Sequence, residues 1–266
     1  MAQPKDINIF ETIPKLIEQS TQTFRAKSLK KTRETLIEII YSNERGIYII
    51  DGENGSGKTI MVESILNEIK NDIYLIKVPP IDLRELLDEV YFMLRGKRFS
   101  QAIKLDEIKT RVNDAFKKIN HTIIIDNLRD ENLELIKDFN NISNELDGLK
   151  IIFSMNTNIF KGEDPLTLFS KGFRDKITIK NLMEDDISDY INLTFSKDFL
   201  NESIQIIKYS SIIFDFTKGN FSNLNNLILT IFEILKTGYT ENLEKYQTVS
   251  ECLIIMSAIE KELING

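Results

Sequence analysis

The chain has 266 residues, 42% of them hydrophobic and 28% charged, with 11 Gly, 5 Pro and a formal net charge of −7. That composition belongs to a soluble globular protein of one or two domains and excludes a disordered or fibrous chain. The net acidity argues against a surface that binds nucleic acid everywhere, while leaving room for a local basic patch.

The N-terminal segment MAQPKDINIF has neither a basic n-region nor an apolar h-region, and the single cysteine, Cys252, excludes an intrachain disulfide. Both point to a reducing cytoplasm. Apolar runs such as Ile123 to Ile125 and Ile151 to Phe153 fall far short of the about 20 residues that span a bilayer, so no membrane insertion is expected.

In chain order, residues 1–45 read as a polar leader and an amphipathic helix, with Phe24, Leu29, Leu36, Ile37, Ile39 and Ile40 set among basic residues from Arg25 to Arg33. That basic stretch is expected to be a solvated helix face. Ile47 to Ile50 forms an apolar, β-branched run ending at Asp51-Gly52, which predicts a buried strand, and residues 58–70 return to helical spacing.

A second strand is predicted from Ile73 to Val78, stopping at Pro79-Pro80, followed by a helix through Leu83, Leu86, Leu87, Val90 and Leu94. The basic loop of residues 94–101 follows, then a helix over 104–119, a strand from Thr122 to Asp126, a helix over 131–145 and a strand from Lys150 to Ser154. A short fifth strand is expected from Lys176 to Lys180. Beyond Asn181 only helical periodicity remains, near 184–195, 200–209, 221–236 and 243–263.

Strands that are continuous apolar runs, alternating with helices, imply a parallel sheet covered on both faces. The expected organisation is an N-terminal helical leader packed on the core (1–45), an α/β core with about five strands (46–181) and a small C-terminal helical lid (182–266). His121, at the start of a strand, is expected to be structural, and Cys252 to lie in the core.

Residues 52–59, Gly52-Glu53-Asn54-Gly55-Ser56-Gly57-Lys58-Thr59, match G-x-x-x-x-G-K-[ST] in full, between a predicted strand and a predicted helix that continues at Ile60. Glycines let such a loop wrap phosphates with its backbone N–H groups, Lys58 can reach the β- and γ-phosphates, and Thr59 can ligate Mg²⁺ at the helix N-terminus. Asp126 ends an apolar strand, HTIIIDN, and is the candidate second metal ligand. The expected ligands are therefore the phosphates of a nucleotide and Mg²⁺.

These segments, with LKIIFSMNTN, FRDKITIKNLMEDDISDYI and TKGNFSNLNNL, resemble a P-loop ATPase of the AAA+ type. Within that type the chain is most similar to the compact ATPases of transposition regulators (TniB, TnsC and MuB) and of the secretion and pilus protein ExeA; STAND-type signalling ATPases share the layout. Glu53 agrees with the ExeA and TnsC versions of the phosphate loop.

The resemblance implies that the cofactors are ATP and Mg²⁺, and that the protein is a homo-oligomer assembled through the nucleotide site and acting on a partner protein of unassigned identity. It implies a γ-phosphate sensor at Ser154 or Asn156 after the fourth strand, and an arginine finger at Arg174, before the fifth, with Lys171 in reserve. It also implies DNA as a partner, touched by Lys97 and Arg98 in the basic loop.

Two departures matter. Where the family places a Glu that polarises the attacking water, this chain has Asn127, which cannot accept a proton; a general base typically contributes about 10²- to 10⁴-fold, so hydrolysis is expected to be slow. The lid segment Gly219-Asn220-Phe221-Ser222-Asn223 lacks the family's sensor arginine, which predicts weak coupling between lid and γ-phosphate. The alternative functions are a nucleotide-locked scaffold in a secretion, pilus or defence complex and a STAND-type signalling ATPase.

Overall fold

A computed structural model of the chain describes residues 7–69, 73–117, 121–143, 146, 150–160, 167 and 172–264. The apolar runs fold as strands β1 (Gly46–Asp51), β2 (Ile73–Ile76), β3 (Thr122–Leu128), β4 (Lys150–Met155) and β5 (Phe173–Thr178). They form one parallel sheet in the order β2-β3-β4-β1-β5. The order places β4 between the strand that leads into the phosphate loop and the strand that carries Asp126.

The central strands are buried on both sides. Ile47, Ile49, Ile123, Ile125, Ile151 and Phe153 share one cluster with Leu86, Leu87, Ile108, Val112, Phe116 and Phe139, while the alternate residues Tyr48, Ile50, Ile124 and Ile152 are no more than 2% exposed. This explains why the runs lack polar alternation. Each buried Ile or Phe contributes about 1.5–3 kcal/mol of transfer free energy, before the entropy of ordering it is subtracted.

Helices flank the strands in sequence: α1 (Ile13–Thr23), α2 (Lys30–Tyr41), α3 (Lys58–Glu68), α4 (Leu83–Arg95), α5 (Leu105–Lys117) and α6 (Leu133–Ser143). Helix α4 shows both terminal signals in its sequence. Asp82 caps its start by accepting from the Glu85 N–H at 2.8 Å, and Gly96 ends it in the left-handed region with φ 67°. After β5 come α7 (Glu184–Phe195), α8 (Leu200–Ile207), α9 (Ser210–Thr217), α10 (Phe221–Thr240) and α11 (Glu251–Glu260).

The chain forms two compact units. One is Thr32–Asn54 with Met61–Ile179; the other is Met1–Lys31, Gly55–Ile60 and Lys180–Gly266. The expected leader of residues 1–45 is therefore divided, and packing explains where. Phe10, Ile13 and Ile17 bury against Phe199, Phe232 and other residues of the C-terminal helices, with ring centroids of Phe10 and Phe199 5.6 Å apart. Asp186, 2% exposed at the start of α7, accepts from the Ser28 hydroxyl and from the Met183 N–H at 3.1 Å.

Residues Thr32–Asn54 belong to the sheet unit, where a buried lysine fixes the end of α2. Lys150, fully buried at the start of β4, donates from Nζ to the carbonyls of Ile39 (2.9 Å), Ile40 (3.1 Å) and Ser42, closing the end of α2. Burial, helped by the nearby Arg45 charge, holds its pKa below the ordinary lysine value.

Several sequence expectations shift. The leader helix is broken at Phe24 to Ala26 into α1 and α2. The predicted helix over 243–263 is a 3-10 turn (Glu244–Tyr246) and then α11, and α9 was not predicted. Strand β5 begins at Phe173 rather than Lys176, as an edge strand with Arg174, Asp175 and Lys176 all exposed. Cys252 is exposed and not core, because α11 buries the stripe Leu253, Ile254, Ser257 and Ala258 and turns its neighbour outward. His121 is buried, edge-on to Tyr74 at 5.2 Å. Among the described residues no helix is long and apolar enough to cross a membrane.

Candidate nucleotide site

The phosphate loop runs from Gly52 to Gly57, and α3 begins at Lys58. Gly55 (φ 79°) and Gly57 (φ 96°) both lie in the left-handed region, which L side chains rarely adopt. Alternating such residues with ordinary ones turns successive peptide N–H groups toward one concave side. Among the described residues a Cβ on Gly57 would meet nothing within 4 Å, so the space beside the loop is open to them. Between the two glycines Ser56 is 2% exposed, and its hydroxyl has no hydrogen-bond partner among the described residues.

That combination fits a bound polyphosphate: a concave backbone, open space, a buried hydroxyl awaiting a partner and the N-terminus of α3. Gly52 is buried, Glu53, Asn54 and Thr59 are exposed, and Lys58 and Ile60 are half-buried. The outward Glu53 is no candidate base.

In the sheet unit, the carboxyl ends of the strands carry the other candidate residues. Asp126 is 3% exposed near the end of β3, and its negative charge is one of the causes that raise the pKa of Lys77, after the Lys77–Glu63 ion pair at 2.6 Å. A buried carboxylate is a hard oxygen donor, the chemistry Mg²⁺ selects.

Asn127 has φ 62°, at the register shift in β3 between Ile125 and Leu128. Asn tolerates this left-handed conformation better than most residues, which supplies a backbone reason for its presence where a Glu was expected. The Arg129 Nε lies 3.5 Å from the Asn127 Oδ1, a long hydrogen bond.

At the end of β4, Ser154 is fully buried with a hydroxyl that has no partner among the described residues. Asn156, 8% exposed, accepts from the Asn158 N–H at 3.1 Å and so caps the turn Thr157–Ile159. The sequence reading missed Asp51, which looked like a mere strand end. Its Oδ1 accepts from the Thr157 N–H at 2.9 Å and its Oδ2 pairs with the Lys176 Nζ at 3.4 Å, tying the end of β1 to the turn after β4 and to the body of β5. An acid directly before the phosphate loop was the available signal.

Arg174 does not precede the fifth strand as expected; it is the second residue of β5, toward the amino end of the sheet, and its Nε donates to the Arg45 carbonyl at 2.9 Å. Its alternate, Lys171, lies outside the described residues. In the basic loop Lys97 is exposed, whereas Arg98 pairs with Asp88 (2.9 Å) and Glu89 (2.5 Å) and sits 4.6 Å over the Phe92 ring. Arg84 holds the same loop through the carbonyls of Ile103 and Ser100. The Arg98 charge is thus compensated within the fold.

Residues 41–161 match the family model described as an AAA domain. No curated protein matches the chain in sequence. Among solved structures the chain is similar to Cdc6p from Pyrobaculum aerophilum (14% identity, 98% of this chain and 72% of that one, TM-score 0.56). It is also similar to Aeropyrum pernix Orc1 solved in complex with DNA (11%, 88% and 64%, TM-score 0.53), so it spans about two thirds of that protein's length. Domain III of the replication initiation protein DnaA from Thermotoga maritima is similar over nearly its whole length (16%, 93% and 97%, TM-score 0.52). The five-stranded parallel sheet, its flanking helices and these likenesses together make the fold that of a P-loop NTPase of the AAA+ type.

Proposed function

We propose that the protein is a Mg·ATP-binding ATPase that hydrolyses slowly, oligomerises and uses its nucleotide state to control a partner. The observation that carries the reading is the phosphate loop itself: a full motif in sequence, with Gly55 and Gly57 left-handed, the Ser56 hydroxyl waiting and α3 starting at Lys58. In this reading the loop amides and Lys58 bind the phosphates, Thr59 and Asp126 hold Mg²⁺, and Asn156 senses the γ-phosphate. Bound Mg²⁺ supplies charge neutralisation on the phosphate oxygens. Residues 46–181 act as the nucleotide core and 182–266 as the lid.

Asn127 orients water without taking its proton, and its oxygen already faces Arg129. Arg174, exposed on the edge strand, serves the nucleotide of a neighbouring subunit. The likeness of the loop to the ExeA and TnsC versions supports, in this proposal, a transposition-type regulator. DNA as a partner draws support from the likeness to an Orc1 solved with DNA, with Lys97 the remaining exposed contact in its loop. The left-handed Asn127 also favours a second reading, a scaffold that retains ATP without turnover.

The test is nucleotide binding and steady-state hydrolysis with size analysis, at two salt concentrations, with and without double-stranded DNA. Wild type should bind ATP, Lys58→Ala should lose binding, and Asp126→Ala should lose Mg²⁺-dependent turnover. Turnover near the wild-type rate in Asp126→Ala would sink the assignment. DNA-stimulated assembly that disappears at high salt supports the regulator, because phosphate contacts release counterions. Tight ATP retention without turnover supports the scaffold.

A further inference from the structure

The lid segment lacks the arginine that would sense the γ-phosphate, yet the phosphate loop and the C-terminal helices are joined in another way. Residues Gly55–Ile60 belong to the same compact unit as α7 to α11, and Ile60 packs against that unit's apolar core. Within the unit, the Ser222 N–H donates to the Gly55 carbonyl at 3.1 Å. Ser222 is the second residue of α10, where a backbone N–H has no partner inside its own helix. The loop therefore consumes a donor that the helix leaves spare.

The fit around this bond is close. A Cβ on Gly55 would lie 2.5 Å from the Asn220 Oδ1 and 2.8 Å from the Ser222 Cβ, so only glycine admits the approach. Asn220, 8% exposed, holds the first turn of α10 by accepting from the Asn223 N–H at 3.2 Å. The preceding Gly219 is fixed in turn, its carbonyl accepting from the Leu182 N–H at 2.9 Å. Behind them α10 buries Leu224, Leu227, Ile228 and Ile231 completely, which makes the helix a rigid support.

We infer that the first turn of α10, through the Ser222 amide and Asn220, positions the phosphate loop for nucleotide. The reasoning rests on the nucleotide reading given above. In a trans peptide the C=O and N–H point in opposite directions, so anchoring the Gly55 carbonyl on Ser222 fixes the direction of the next N–H, that of Ser56. That N–H is one of the loop donors for phosphate. Released from Ser222, the Gly55–Ser56 peptide can rotate, and a carbonyl turned into the concave side would repel the anion. The coupling of helix to nucleotide runs through backbone rather than through an arginine, and its strength is insensitive to salt.

Ser222→Pro removes this N–H and sets a ring carbon in its place, while Ser222→Ala controls for loss of the hydroxyl. Proline is tolerated in the first turn of a helix, and this chain already carries Pro14 at the corresponding position of α1. The experiment is titration with a fluorescent ATP analogue at low and high salt, alongside the melting midpoint of the nucleotide-free protein. Ser222→Pro should weaken binding by about tenfold at both salts while leaving the nucleotide-free midpoint in place, and Ser222→Ala, which keeps the N–H, should restore affinity. In wild type, hydrogen exchange at the Ser222 amide should slow further when nucleotide is added, a readout that needs no variant. Equal affinity of wild type and Ser222→Pro, or exchange at Ser222 that ignores nucleotide, overturns the inference and leaves the nucleotide reading standing. Wild type that binds no nucleotide overturns both.

Discussion

The Asp51 carboxylate accepts the Thr157 N–H at 2.9 Å, joining the last residue of β1 to the turn that follows β4. With Asp51 only 8% exposed, removing the acceptor strands a donor in a poorly hydrated place. Asp51→Ala should therefore cost about 1–3 kcal/mol, the penalty of an unmade bond to a buried group. Asp51→Asn keeps an acceptor oxygen for Thr157 and loses only the partly exposed Lys176 pairing, so it should cost distinctly less. Urea unfolding of the two variants decides the matter, and equal losses would mean that the backbone bond is unimportant.

Asn127 occupies a left-handed position that a glutamate would enter only under strain. Asn127→Glu should lower stability by about 1–2 kcal/mol and still raise the ATP turnover rate at least about tenfold, because it adds the missing proton acceptor. A destabilised variant with unchanged turnover would show that the absent base does not limit hydrolysis.

Lys150 closes α2 from inside the sheet unit through three backbone carbonyls. Lys150→Met fills similar volume and satisfies none of them, so unfolding should become easier by on the order of 2–3 kcal/mol. Thermal and urea midpoints that hardly move would mean that water takes over the carbonyls without penalty.

Tyr190 gives the helical unit a pH limit. Its hydroxyl bonds Thr21 (3.0 Å) and Asn225 (2.8 Å), and burial pushes its pKa from 10 up to about 12. The folded state thus favours the neutral phenol, and the unfolded chain ionises first. Stability from this group is complete below pH 10 and is lost as pH rises toward 12, by about 2–3 kcal/mol in total. Tyr190→Phe should start less stable at neutral pH, having lost both hydrogen bonds, and decline less steeply through that window. Parallel alkaline profiles for the two proteins would contradict the assignment.

The parts of the molecule that declare themselves in sequence are those where local pattern and final environment agree. Strands β1, β3 and β4 read as apolar runs because both faces are covered, and α7 matches its predicted span because its buried stripe, including Ile187, Tyr190 and Ile191, follows helical spacing. The phosphate loop is legible because its chemistry is local. Helix α9, SSIIFDFT, escapes notice because serine, β-branched and aromatic residues are weak helix formers and tertiary packing decides the outcome. Lys150 and Asp51 look like solvated charges at strand ends, and only long-range partners reveal otherwise. Arg98 is the converse case: a basic loop suggests an external anion, and the carboxylates that answer it come from α4.

The sheet ends on β5, with Arg174, Asp175 and Lys176 consecutive and exposed along its open edge, and on β2, a strand of four residues. A row of charge and a very short edge are the two common ways of refusing a further strand. Both edges are thereby poor templates for a further strand, which keeps copies of this protein from joining sheet to sheet into an endless ribbon.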